Sequence, residues 1–145
     1  MQENQIITII GKEFPDIVIP MIEKARKSID IIVYDWRWYP DQIGAKIQRF
    51  NNAIIQSAQK NVKIRTISNS RKTIHVLEKF KIKAKQINTR GIIHTKLMII
   101  DNEVAILGSH NYTMNAFTIN LEVSVIIINK EVIERLKQYF INLWH

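Results

Sequence analysis

The sequence predicts a single α/β domain, a mixed central β-sheet flanked by helices, and three observations lead there. Short apolar runs rich in β-branched residues alternate with segments of helical spacing. The two kinds trade places regularly through the first half, and no Gly/Ser/Pro-rich linker, internal repeat or low-complexity tract offers a place to divide the chain. At 145 residues, 46% hydrophobic and 23% charged, residues 1–145 have the size and balance of one ordinary globular domain.

Taken in order, Gln5–Ile10 is the first expected strand. A helix over Phe14–Lys27 follows from the spacing of Ile17, Met21, Ile22 and Ala25; Pro15 suits its first turn, while Pro20 is expected to kink it or displace its start. Ile29–Tyr34 is the second strand. Ile43, Ile47, Phe50, Ile54 and Ala58 place a helix over Asp41–Lys60, and Val62–Ile67 returns to the sheet. Ile74, Leu77 and Phe80 define a helix over Arg71–Phe80, followed by a strand at Ala84–Ile87. Ile92–Ile100 and Val104–Leu107 read as a hairpin whose turn is Asp101-Asn102-Glu103. Leu121–Ile128 is the last strand, and a helix runs from about Glu131 to Trp144. Strand–helix–strand alternation predicts parallel pairing through right-handed crossovers in the first half, with antiparallel pairing in the second.

Composition narrows the chemistry. With no cysteine, disulfides, zinc-thiolate sites and thiol catalysis are excluded. The N-terminal stretch lacks the pattern of a secretory signal, and no apolar run approaches ~20 residues, so a soluble, cytoplasmic protein without stable membrane insertion is expected. Lys and Arg number 21 against 13 Asp and Glu, a formal charge of +8 that favours encounter with a polyanion such as nucleic acid or an acidic surface.

The chemically informative stretch is His94-Thr95-Lys96-Leu97-Met98-Ile99-Ile100-Asp101. On a strand, residues two apart share a face, so His94 and Lys96 project together into one site. An ammonium beside an imidazole repels a metal cation but suits a phosphoryl group, which predicts an anion site with no metal and no cofactor. Seven residues after Asp101 comes Gly108-Ser109-His110-Asn111, a turn whose hydroxyl and amide donors suit phosphate oxygens.

H-x-K-x-x-x-x-D followed at this spacing by G-S-x-N resembles the signature of the phospholipase D superfamily, in its small single-motif endonuclease branch. Asn120-Leu121-Glu122 is similar to the family's N-x-E element, and Ala25–Tyr34 to its opening helix-to-strand unit. The resemblance implies that His94 attacks phosphorus to form a covalent phosphohistidine, which water hydrolyses without a metal ion. It assigns Glu122 to hold the other ring nitrogen of His94, and Lys96, Ser109 and Asn111 to bind the non-bridging oxygens. Asp101 belongs to the motif and is carried with the catalytic set, although its place at the turn points mainly to holding the hairpin.

An in-line displacement needs a second imidazole to protonate the leaving oxygen, and the chain carries one motif. Neither His75 nor His145 is followed two residues later by lysine. The expected solution is a homodimer with the active site at its two-fold interface, as in the family's small nucleases. His110 sits at the variable motif position and is expected on a loop that touches substrate. Trp36-Arg37-Trp38-Tyr39 after the second strand either stacks bases, with Arg37 on phosphate, or forms a core or interface cluster. Arg71 and Lys72 are placed against a nucleic-acid backbone or simply in solvent, as is the Lys79–Lys85 run. The functional expectation is a metal-independent phosphodiesterase, a sequence-nonspecific endonuclease on DNA or RNA. Its alternatives are a phospholipid diesterase and a catalytically inactive nucleic-acid-binding module.

Overall fold

All seven apolar runs become strands in a computed structural model of the chain, which describes residues 4–145. They are β1 (Gln5–Ile10), β2 (Ser28–Val33), β3 (Lys63–Ser68), β4 (Lys83–Lys85), β5 (Leu97–Ile100), β6 (Val104–Gly108) and β7 (Val123–Ile128). The helices are α1 (Phe14–Glu23), α2 (Lys46–Gln59), α3 (Arg71–Lys79), α4 (Met114–Thr118) and α5 (Lys130–Trp144). One mixed sheet runs β1-β7-β6-β5-β2-β3-β4.

The β2–β3 and β3–β4 pairs are parallel and joined by helices, and β5–β6 is the antiparallel hairpin, as expected. β1 departs from the expectation of consecutive pairing. It lies at the far edge, antiparallel to β7, because only Ile9 of its apolar residues is buried while β2 is buried from Ile29 through Val33. A central strand needs apolar residues on both faces, and β2 supplies them.

Three helices bear on the other expectations, each for a local reason. α1 begins at Phe14 and passes through Pro20, which forfeits one backbone donor without displacing the start. α2 begins at Lys46, after a turn containing Gly44 that leaves Ile43 in solvent. α4, absent from the expectations, is a single turn capped by Thr113, whose hydroxyl accepts from Ala116 N at 3.1 Å.

Two cores sandwich the sheet. Phe14, Val18 and Ile22 of α1 and Phe50 and Ile54 of α2 pack with Phe117 of α4 against Ile29, Ile31 and Met98. On the other face, Ile133 and Phe140 of α5 cover Ile32, Ile67, Leu97 and Ile99. Buried Asp30 fastens α5 to the sheet, accepting from Arg65 Nε at 2.9 Å and from Lys137 of the helix. Among the described residues, no helix is long and apolar enough to cross a membrane.

Candidate active site

Strand direction collects the predicted residues at one end of the sheet. The C-termini of β2, β3 and β6 and the N-termini of β5 and β7 all lie there. β5 begins only at Leu97, so His94 and Lys96 stand just before the strand, beyond the last β2 pair at Ile32–Leu97. The alternation nevertheless continues. Ile93 packs with Leu97 and Ile99 beneath α5, and Thr95 meets Tyr139 of α5 at 3.2 Å. His94 and Lys96 therefore fall in line with Met98 and Ile100 on the other side.

His94 is exposed, its ring 6.5 Å from that of Tyr34. Lys96 is only 9% exposed. Burial pushes its ammonium pKa below the ordinary lysine value, and the Glu122 carboxylate opposes that shift.

The Gly108–Asn111 turn is built by contacts that explain its residue types. A Cβ on Gly108 would lie 2.4 Å from Ser124 Cα, so only glycine lets β6 approach β7 this closely. Ser109 donates through its hydroxyl to Glu122 Oε1 at 2.6 Å and accepts from Val123 N at 3.0 Å. His110 is buried rather than offered to substrate, which corrects the sequence expectation. One ring nitrogen lies 2.7 Å from Ser124 Oγ and the other 2.8 Å from Gly11 O, a pattern that assigns Nε2–H as donor to the carbonyl and Nδ1 as acceptor. Its ring stacks on Phe14 at 4.5 Å, and burial pushes its pKa down, toward the neutral imidazole.

Asn111 Oδ1 accepts from Asp35 N at 3.1 Å, which fixes the amide flip and leaves the NH₂ as the group presented to a ligand. The loops after β2 and β6 are zipped around this bond, with Tyr112 N donating to Asp35 O at 3.0 Å and Arg37 N to Tyr112 O at 2.9 Å. Asp35 was not visible as a site residue in the sequence, because its contribution is a backbone N–H together with a carboxylate 3.2 Å from Arg37 Nε.

Glu122 also differs from its assigned partner. Within one chain its carboxylate accepts from Ser109 and from Asn120 Nδ2 at 3.3 Å, and no hydrogen bond joins it to His94. Asp101 stands at the opposite end of β5, where its carboxylate accepts from the backbone N–H of Arg26, Lys27 and Ser28 at 2.7–3.2 Å. Burial alone would raise its pKa, but these bonds outweigh it and hold the carboxyl below the ordinary aspartate range. That geometry removes Asp101 from the reacting centre and gives it the hairpin-holding role.

The aromatic segment divides by alternation. Trp36 is fully buried, its indole N–H donating to Asn51 Oδ1 at 2.6 Å, and Trp38 packs half-buried beside it. Trp36 is thereby a core residue and not a base-stacking one. Arg37 projects outward, into a cleft of about 420 Å³ lined also by Asp35, Tyr39, Asn111, Asn115 and Asn120. A second cavity of about 210 Å³ lies against His94, Lys96, Gly108 and Tyr139. Arg71 and Lys72 are exposed at the same end of the sheet but line neither space; Arg71 donates to Gln86. His75 is an exposed helix residue.

The comparisons with known proteins agree with this architecture. A family model described as cardiolipin synthase, PLD-like domain, matches residues 18–144. A cardiolipin synthase of Staphylococcus aureus is 38% identical over 52 residues, 36% of this chain and 10% of that enzyme, so the match spans about a tenth of its length. Among solved structures, NucT from Helicobacter pylori superposes with a TM-score of 0.84 at 25% identity, covering 98% of this chain and 96% of that one. Nuc from Salmonella typhimurium, a phospholipase D family member, gives 0.79 at 21% identity, covering 97% and 95%. With the H-x-K and G-S-x-N elements brought to one end of a fold shared along almost its whole length, the chain belongs to the phospholipase D superfamily.

Proposed function

We propose that the chain is a metal-independent phosphodiesterase that cleaves nucleic acid as a homodimer. The observation that carries this reading is the placement of His94, Lys96 and Asn111 at one end of the sheet, with the Asn111 amide oriented by the Asp35 backbone. This is a nucleophile beside two donors for anionic oxygens. In the first step a ring nitrogen of His94 bonds to phosphorus as the P–O bond to the leaving group breaks. His94 of the partner subunit gives the leaving oxygen its proton, then takes one from the water that displaces the first histidine.

The surface supports pairing. Leu121 is 100% exposed, and Ile10, Ile119 and Val123 are more than half exposed around the same end. A second copy seated on this apolar rim, next to His94, covers surface that a monomer leaves in water and brings the second imidazole to the site.

Nucleic acid is favoured as substrate by the charge of +8 and by the amide-rich cleft beside Asn111. The chain also matches nearly the full length of Nuc and NucT but a tenth of a cardiolipin synthase. A phospholipid substrate is the second reading, favoured by the family description. Incubation in excess EDTA with end-labelled single-stranded DNA, duplex DNA, RNA and an anionic phospholipid, with His94→Ala alongside, separates them. Nucleic-acid cleavage that vanishes in the variant is the expected result. Cleavage of lipid alone transfers the assignment to the phospholipid diesterase, and binding of DNA without any cleavage transfers it to an inactive binding module.

A further inference from the structure

The end of the sheet opposite His94 carries a charge pattern that catalysis does not use. Each of the three connections that return the chain to β2, β3 and β4 is basic: Lys24–Lys27, Lys60–Lys63 and Lys79–Lys83. These segments contain no carboxylate, and every Lys and Arg in them is exposed. Among the described residues none of those cations forms an ion pair; the four ion pairs engage Arg37, Lys46, Arg65 and Lys137 instead. The nearby Asp101 carboxylate is committed to backbone amides.

Helix dipoles account for part of this. Lys60 and Lys79 close α2 and α3, where a cation answers the negative helix end. Lys63, Lys81 and Lys83 lie beyond the last turns and need another reason. They line a concave groove of about 880 Å³ together with Ser28, Asn61 and Phe80, the last 44% exposed among the lysines. A flat bilayer does not enter such a groove, whereas a phosphodiester strand does, with its charges on the lysines and a base on the Phe80 ring.

We propose that this end is a second nucleic-acid-binding surface, which grips the phosphate backbone of a strand away from the bond being cut. The proposal rests on the nucleic-acid reading of the catalytic end. β2 spans the two ends in six residues, so at about 3.3 Å per residue they are roughly 20 Å apart. A dinucleotide-sized ester cannot touch both, but a long strand can wrap from one to the other. The surface therefore discriminates by length, raising affinity for polymers without altering the chemical step.

The test uses the full chain with Lys60→Gln, Lys63→Gln, Lys81→Gln and Lys83→Gln combined, and a second variant carrying arginine at the same four positions. Binding of a long labelled single strand in EDTA is followed by fluorescence anisotropy at several salt concentrations. Hydrolysis of bis(4-nitrophenyl) phosphate reports the chemistry alone. The glutamine variant is expected to bind DNA at least about tenfold more weakly, with a salt slope shallower by about 3, since each lost contact to a single strand removes roughly 0.7. Hydrolysis of the small ester should stay unchanged, and the arginine variant should bind like the wild type. Unchanged DNA affinity and slope in the glutamine variant overturn the proposal. So does a loss confined to phosphatidylglycerol vesicles, which assigns the surface to membrane, and so does a wild-type chain that binds no DNA. If the wild type binds DNA through these lysines yet cleaves only the small ester or lipid, the functional reading fails while this surface stands.

Discussion

The two ends of the sheet hold polar residues in opposite ways. At the His94 end, side chains are aimed by fixed bonds: Asn111 by Asp35 N, Ser109 by Glu122 and Val123, His110 by Gly11 and Ser124. At the other end the backbone is clamped by Asp101, but among the described residues the cations of Lys24–Lys27, Lys60–Lys63 and Lys79–Lys83 form no ion pair. Directional bonds fix positions to a fraction of an ångström and suit a transition state, whereas loose charges suit a polyanion of any sequence. Single substitutions should therefore be costly at the first end, and at the second only the backbone clamp should be sensitive to one change.

The sharpest test of that contrast is catalytic. His94→Ala is expected to lower kcat by at least about 10³-fold, because the proposed mechanism gives the covalent step to His94 and the sequence holds no second H-x-K histidine. Lys96→Ala and Asn111→Ala should each cost about 10²- to 10³-fold in kcat, the usual loss for one oxyanion donor. Steady-state rates on DNA and on bis(4-nitrophenyl) phosphate check this. A loss at Asn111 confined to KM would mean that its amide binds the ground state and the transition state equally, and the precision ascribed to this end would be gone.

Gly108→Ala extends the contrast to backbone packing. The added Cβ meets the Ser124 backbone and not a movable tip, so β6 and β7 must separate. A destabilisation of about 1–3 kcal/mol is expected from urea unfolding, the range for overpacking, together with a loss of turnover from displacing Asn111. Full stability in the variant would show that the strands part easily and that the turn is less constrained than its hydrogen bonds imply.

At the opposite end, Asp101→Asn should lower stability by about 1–3 kcal/mol at neutral pH while leaving turnover intact. The sign of its pH dependence follows from the depressed pKa of the folded carboxyl. The stabilisation is fully present above the unfolded value near pH ~3.9, and is lost as pH falls through the lower folded value. Denaturation midpoints of wild type and variant should therefore converge on acidification. Turnover falling with stability would place Asp101 back in the catalytic set.

How much of this was legible beforehand depended on whether a feature is local. The seven strands and four longer helices follow from side-chain periodicity, which the chain carries within each segment. The H-x-K and G-S-x-N residues are likewise close in sequence, and the sheet needs only one hairpin to bring them to a common end. What was not legible depends on distant partners. His110 is buried by Gly11 and Phe14, 99 and 96 positions away; Asp101 meets a backbone 73–75 positions away; Glu122 turns to Ser109 instead of His94. β1 leaves its neighbour in sequence for β7, and nothing inside β1 names that partner. The Trp36 outcome was within reach, since Trp36-Arg37-Trp38 has the inward–outward–inward order of a strand end. α4 was too, through the cap at Thr113.

The smallest effect belongs to Arg37, which shares features of both ends. Its side chain is 65% exposed, like the distant lysines, but the hydrogen bond and charge of Asp35 hold it over the cleft beside Asn111 and raise its already high pKa, so it stays charged throughout the working range. A cation at the rim of a wet cleft attracts phosphate in the ground state and the transition state alike. Arg37→Ala should accordingly raise KM for DNA a few-fold, leave kcat within about twofold, and reduce the salt slope of binding by about 0.7 for a single strand. Arg37→Lys should restore the slope, because a point charge suffices for that term. If kcat instead fell with KM unchanged, Arg37 would be acting on the charge that develops at phosphorus. The tightly held region would then reach from Asn111 through Asp35 to the outer edge of the cleft.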